Sequence, residues 1–134
     1  MIEINNLTKF IVDKKFFSNV AKIVLSEENK EKQTISLAFV GEKDIKELNK
    51  KFRKNNKTTD VLSFDLKGGE YLGEVVICPD IVKENAEKNK VSVKNELLKV
   101  FIHGILHLCG YEHEKSEKQA KEMEQKEKLY LSKI

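Results

Sequence analysis

Apolar residues recur along this chain in two periods, and the switching between them predicts interleaved strands and helices. Ile2 and Ile4 alternate with Glu3 and Asn5, which suggests a short first strand. Asp13 can cap a helix whose apolar positions, Phe16, Phe17, Val20, Ala21, Ile23 and Val24, recur at three- and four-residue steps before the polar stretch Ser26 to Lys32. Thr34 to Val40 is a β-branched and aromatic run with Ile35, Leu37 and Phe39 on one face, and Gly41 ends it as a strand. Asp44, Ile45, Leu48 and Phe52 return to helical spacing, with an end expected near Asn55 and Asn56.

Val61 to Leu66 and Tyr71 to Cys78 read as two strands of an antiparallel hairpin, because Lys67, Gly68, Gly69 and Glu70 supply the glycines of a tight turn. Pro79 suits a first helical turn and opens a helix to about Lys88. Ser92, or Asn95 nearby, caps the next helix, from about Val93 to Leu108. Its apolar residues Leu97, Leu98, Val100, Phe101, Ile102, Ile105, Leu106 and Leu108 cover most of its circumference, so it is expected to be buried on most sides and to stop at Gly110. Residues 114 to 128 hold five Glu and five Lys, with four Glu-to-Lys pairs in the favourable i,i+4 order. They predict a solvated helix with a thin apolar stripe through Ala120, Met123 and Tyr130. The whole is a small α+β layer with a hairpin in the middle and helices dominating its C-terminal half.

Length changes the picture only by bounding it: 134 residues make one domain, residues 1–134, with one core. A hydrophobic fraction of 40% beside 35% charged residues, with six Gly and one Pro, excludes disordered and collagen-like chains. No apolar run approaches the roughly 18 residues of a membrane helix, and MIEINNLTKF is not a leader, so a cytoplasmic protein is expected. The two cysteines, Cys78 and Cys109, form no CxxC pair and fit small core residues in a reducing compartment. A net charge of +3 does not announce nucleic-acid binding, so that argument needs local clustering.

All three histidines lie in the run from His103 to His113. Residues four apart on a helix differ by only about 40°, so His103 and His107 share a face, and a turn at Gly110 can return His113 to the same point. A lone histidine is usually satisfied by ordinary hydrogen bonds. Two imidazoles on an apolar helix would each need a buried partner, and leaving one unpaired costs roughly 1 to 3 kcal/mol. One metal ion satisfies both. Gly104, which costs about 1 kcal/mol in a helix relative to Ala, would be explained by close approach of a ligand or another backbone. Three neutral nitrogens and a fourth position left to water describe a catalytic zinc site. The spacing HxxxHxxGxxH equals that of metzincin proteases, but those carry Glu after the first histidine as general base, and Gly104 stands there.

Arg53 is the only arginine among 25 basic residues, and from Lys46 to Lys57 six basic residues face one acidic, a local net of +5. Its planar fork can grip a phosphate bidentately, as lysine cannot. A plain solvated charge is nearly as good an account from composition. Single-stranded RNA would also want an aromatic platform, for which Tyr111 is the candidate, while Phe52 and Phe64 are assigned to the core.

His103 to His113 resembles the HGxLHLxGYDH signature of the YbeY endoribonuclease family, the bacterial rRNA maturation factors. Thr59 to Phe64 is similar to its TDVLSF segment, Leu48, Asn49 and Arg53 to its LNxxxR pattern, and Leu72 to Val75 to its LGDI strand. Glu112 and Glu74 replace aspartates of those motifs, and Thr58 stands where proline is common. The resemblance implies a mixed, mostly parallel sheet packed by helices, with zinc at the end of a buried helix. It implies a zinc-dependent, single-strand-specific endoribonuclease in ribosomal RNA maturation and ribosome quality control. His103, His107 and His113 would hold one Zn²⁺ with a water, and Arg53 would be catalytic. Expected partners are single-stranded RNA, ribosomal RNA and the small ribosomal subunit, with neither DNA nor a membrane. A metal-dependent hydrolase of another phosphate or amide, or a ribosome-assembly module with a structural metal, remains open beside it.

Overall fold

A computed structural model describes residues 1–66 and 69–134. Among them the chain runs β1 (Ile2–Asn6), α1 (Lys14–Glu27), β2 (Thr34–Phe39), α2 (Glu42–Arg53), β3 (Val61–Asp65), β4 (Tyr71–Ile77), α3 (Pro79–Asn89), α4 (Val93–Leu108) and α5 (Glu117–Lys133). The strands form one sheet in the order β1-β2-β4-β3. β1 with β2 and β2 with β4 are parallel, and β3 pairs antiparallel with β4 at the edge, Ser63 opposite Val75. The sheet is therefore mixed and mostly parallel. The hairpin is present, while Lys67 and Gly68 of its expected turn lie outside the described residues.

Strand alternation divides the sheet into two faces. Ile35, Leu37, Phe39, Val75 and Ile77 meet Phe17, Val20 and Val24 of α1 and Phe101, Ile102 and Ile105 of α4 in the larger core. Ala38, Leu62 and Val76 face the other way, onto Ile45 of α2 and Cys78. Helix α4 sits inside the larger core with ten of its sixteen residues buried, as its circumferential apolar pattern predicts. Asp13 and Ser92 cap α1 and α4 by accepting from the Phe16 and Asn95 amides.

Several expectations need correction. Phe52 is not core: it is 55% exposed, with its ring edge on the half-buried Phe64 at 5.3 Å between centroids. Helix α2 stops at Arg53 because Lys54 turns into the left-handed region, two residues before the expected end. Helix α5 begins at Glu117, capped by Ser116, so Glu114 stands outside it and cannot pair along it. Of the expected i,i+4 pairs, Glu124 and Lys128 close at 3.1 Å, but Lys126 turns instead to Glu28, the residue that caps the end of α1, at 3.5 Å. Gly104 answers to the sheet rather than to a ligand. A Cβ there would stand 2.8 Å from Val75 Cγ1 and 3.2 Å from Ser63 Oγ, so the glycine lets α4 lie close on β3 and β4.

Candidate metal centre and its cleft

Helix α4 carries His103 and His107 one turn apart at its C-terminal end. The helix closes through a Schellman motif: the Tyr111 amide donates to the Leu106 carbonyl and the Gly110 amide to that of His107, both at 3.0 Å. Gly110 takes φ +100, which side chains disfavour, and the reversal brings His113 back over the helix end. The three ring centroids lie 4.6, 5.0 and 4.9 Å apart. One nitrogen from each imidazole falls within 4.8 Å of the others, a group that could hold a metal ion.

The donor set fits that use. Nε2 of His103 and Nε2 of His107 are 3.1 Å apart. Two nitrogens at 2.0–2.1 Å from a tetrahedral ion stand about 3.3 Å from each other. His103 also presents its Nδ1 to a carboxylate oxygen of Glu127, 2.5 Å away, a pairing in which an ionised carboxylate would accept an Nδ1 proton and leave a lone pair on Nε2. Burial holds the His107 pKa below its ordinary value, helped by the neighbouring His103 and His113, while Glu112 and the Tyr111 backbone oppose the shift. His107 is thus kept as the neutral imidazole that a cation requires. The carbonyl-rich end of α4 adds a favourable potential for a cation.

These imidazoles line the α4 wall of a cleft of about 850 Å³, and Arg53, from the end of α2, lines the same cleft. Arg53 is the last residue of α2, and its Nη2 donates to the Ser63 carbonyl on the open edge of β3 at 3.0 Å. Ser63 Oγ in turn donates to the Gly104 carbonyl at 3.0 Å, so one residue of β3 touches both walls. Buried Asn49, one turn before Arg53, donates from Nδ2 to the Lys57 carbonyl at 3.0 Å and holds the segment between α2 and β3. Ser63 and Glu112 line the cleft. Of the basic run from Lys46 to Lys57, Arg53 and Lys57 reach it, joined by Lys99 from α4. Five carboxylates, Asp60, Asp65, Glu96, Glu112 and Glu114, line it too, so the protein alone does not make it a basic trough.

Two residues change places relative to the sequence reading. Tyr111, the expected aromatic platform, packs against the larger core, and its hydroxyl is pushed up to about 12 by burial and by its hydrogen bond to Glu28. Phe52 is the exposed aromatic beside Arg53 instead. Glu127 was missed altogether, being one of ten alternating charges in a solvated stretch. Its position four residues after Met123 and three before Tyr130, on the apolar stripe of α5, is the signal that could have found it. Glu112, the longer replacement beside the motif, reaches to 4.0 Å from His107 Nδ1, beyond hydrogen-bond distance. Neither cysteine bears on the site: both thiols are free, and burial pushes Cys109 up to about 11 and raises Cys78.

Comparison with known proteins agrees with this architecture. The family model described as endoribonuclease YbeY matches residues 3–134. A protein named endoribonuclease YbeY from Thermotoga maritima is 46% identical over 100 residues, covering 75% of this chain and 67% of its own length. Another of that name from Bdellovibrio bacteriovorus is 35% identical over 126 residues, covering 88% of this chain and 84% of its own. The solution structure of TM1509 from Thermotoga maritima superposes with a TM-score of 0.71 at 39% identity, covering 98% of this chain and 87% of that one. With the sheet, the histidine cluster and these matches in agreement over nearly the whole chain, it belongs to the endoribonuclease YbeY family.

Proposed function

We propose that residues 1–134 act as one metal-dependent hydrolase domain that cleaves single-stranded RNA internally, with ribosomal RNA and the small ribosomal subunit as its partners in the cytoplasm. The observation that carries this reading is that three clustered imidazoles and one guanidinium line a single cleft. His103, His107 and His113 would hold one Zn²⁺, which when bound supplies a water acidic enough to lose its proton near neutral pH. His107, kept neutral by burial, offers its lone pair without first shedding a proton. Arg53 binds the scissile phosphate through the guanidinium nitrogens not committed to Ser63 and stabilises the charge that grows on the phosphate oxygens.

The mixed charge of the cleft supports a metal-dependent reading of the same wall. With five carboxylates against three cationic side chains, an RNA strand would meet repulsion that a divalent ion offsets. Phe52 presents its exposed ring next to Arg53, with Lys51 Nζ 5.3 Å from its centre, and offers a base a stacking surface. Its neighbour contact with Phe64 lies directly beside the Arg53 contact with Ser63, so both residues are braced on β3.

The test is cleavage of a single-stranded ribosomal RNA fragment by zinc-loaded wild type, Arg53→Ala and His107→Ala proteins purified identically. Cleavage by the wild type that both substitutions abolish, with the fold intact by circular dichroism, is expected. Equal cleavage by all three, or none by the wild type, would sink the ribonuclease reading and shift the weight to an assembly role.

A further inference from the structure

Helix α5 is solvated along most of its length and buries Met123 and Tyr130. Helical spacing puts Glu127 on the same stripe as those two residues. Its side chain is 17% exposed, against 63% and 74% for Glu124 and Lys128 on the outer face. A carboxylate withdrawn from water is costly unless it is paired, so a glutamate on a helix's core stripe calls for a specific partner. That partner is Nδ1 of His103, 2.5 Å from Oε1.

We propose that Glu127 is the positioning residue of the metal centre, accepting the Nδ1 proton of His103 so that its Nε2 lone pair faces His107 and His113. The proposal rests on the metal reading given above. The Glu127 carboxylate locks the ring's orientation and tautomer and makes Nε2 a stronger electron donor. Of the two helical imidazoles, His103 has this support at hydrogen-bond distance, whereas Glu112 stays 4.0 Å from Nδ1 of His107. The helix that carries Glu127 is itself tied down from outside the site. Tyr130 donates to Glu28, Lys126 approaches the same carboxylate at 3.5 Å, and Lys133 donates to Glu27 at 2.6 Å, which ties α5 to the end of α1. Helix α5, which reads as a solvated appendage, thereby becomes part of the centre.

The experiment compares full-length wild type with Glu127→Gln, Glu127→Leu and the exposed-face control Glu124→Gln. Glutamine keeps the volume and an oxygen acceptor without the charge; leucine removes both. Imidazole ¹⁵N shifts of the metal-free proteins read the His103 tautomer, and chelator competition reads zinc affinity. The wild type should hold His103 as the Nδ1–H form, the glutamine variant should keep it, and the leucine variant should drift to Nε2–H. Zinc affinity should fall from wild type through glutamine to leucine, by about ten- to hundredfold at the end of the series, with the Glu124 control unchanged. A leucine variant with an unchanged tautomer, or with affinity within about twofold of wild type, overturns the positioning role. If the leucine variant does not fold, a glutamine variant with wild-type zinc affinity overturns it. A wild type that binds no zinc overturns the metal reading first, and is told apart because the tautomer is read without metal.

Discussion

The two walls of the cleft are built on opposite plans. His103 and His107 project from a helix buried on nearly every side, and the turn that returns His113 is closed by two backbone hydrogen bonds. Arg53 is an exposed side chain at the end of a mostly solvated helix; the backbone there is closed, but the guanidinium itself is held by one hydrogen bond to a carbonyl on an open sheet edge. A preorganised wall suits a small ion, whose bond lengths tolerate little error. A lightly held guanidinium suits a flexible strand whose phosphate must enter, react and leave. Substitutions on one wall should therefore disturb metal and fold, and those on the other should disturb substrate alone.

The sharpest break of that division is the pair used above. His107→Ala should lose zinc affinity and cleavage together, while Arg53→Ala should lose about 10² to 10³ in kcat with zinc affinity unchanged. Isothermal titration with zinc beside single-turnover kinetics separates them. A loss of zinc binding in Arg53→Ala would show that the walls are coupled. Phe52→Ala should weaken binding of a single-stranded oligonucleotide roughly fivefold, near the lower end of base-stacking energies, because part of the ring is spent on Phe64. Phe52→Tyr should restore it, and thermal stability should not move; fluorescence anisotropy at fixed salt is the measurement.

On the rigid wall, Gly104→Ala tests packing without touching a ligand. Overpacking costs about 1–3 kcal/mol and the helix preference of alanine returns about 1, so a net loss near 1 kcal/mol in urea unfolding is expected. A stabilised variant would mean that Val75 and α4 can part without cost. The smallest effect belongs to the strap at the end of α5. The hydrogen bond and charge of Lys133 hold Glu27 below its ordinary carboxylate value. Its contribution is therefore present above about pH 4.5 and lost as pH falls through the lowered value. Amide exchange in the last turn of α5 should be faster in Lys133→Met than in wild type at pH 6, with the difference gone at pH 3. A difference that persists in acid would assign the tie to packing.

What the chain's own pattern determines is whatever depends on neighbours within a turn or two. The period-two run in β2 and the caps Asp13 and Ser92 are local devices, and each element expected from them is present. So is the gathering of His103, His107 and His113, because helix periodicity and one glycine turn suffice to bring them together. The opposite wall was legible only as an oddity of composition. That Arg53 lines the same cleft as the imidazoles depends on β3 lying at the sheet edge beside α4, a matter of strand order that no local period encodes. The same reason hid Glu127 among the charges of α5, left Phe52 exposed and packed Tyr111 against the core. Burial is decided by which element covers a residue, and the cover came from parts of the chain 24 residues from Glu127, at His103, and 83 from Tyr111, at Glu28. Local sequence sets what each segment can be; long-range packing, which excludes water from some polar groups and leaves some apolar ones exposed, decided which of them meet in the cleft.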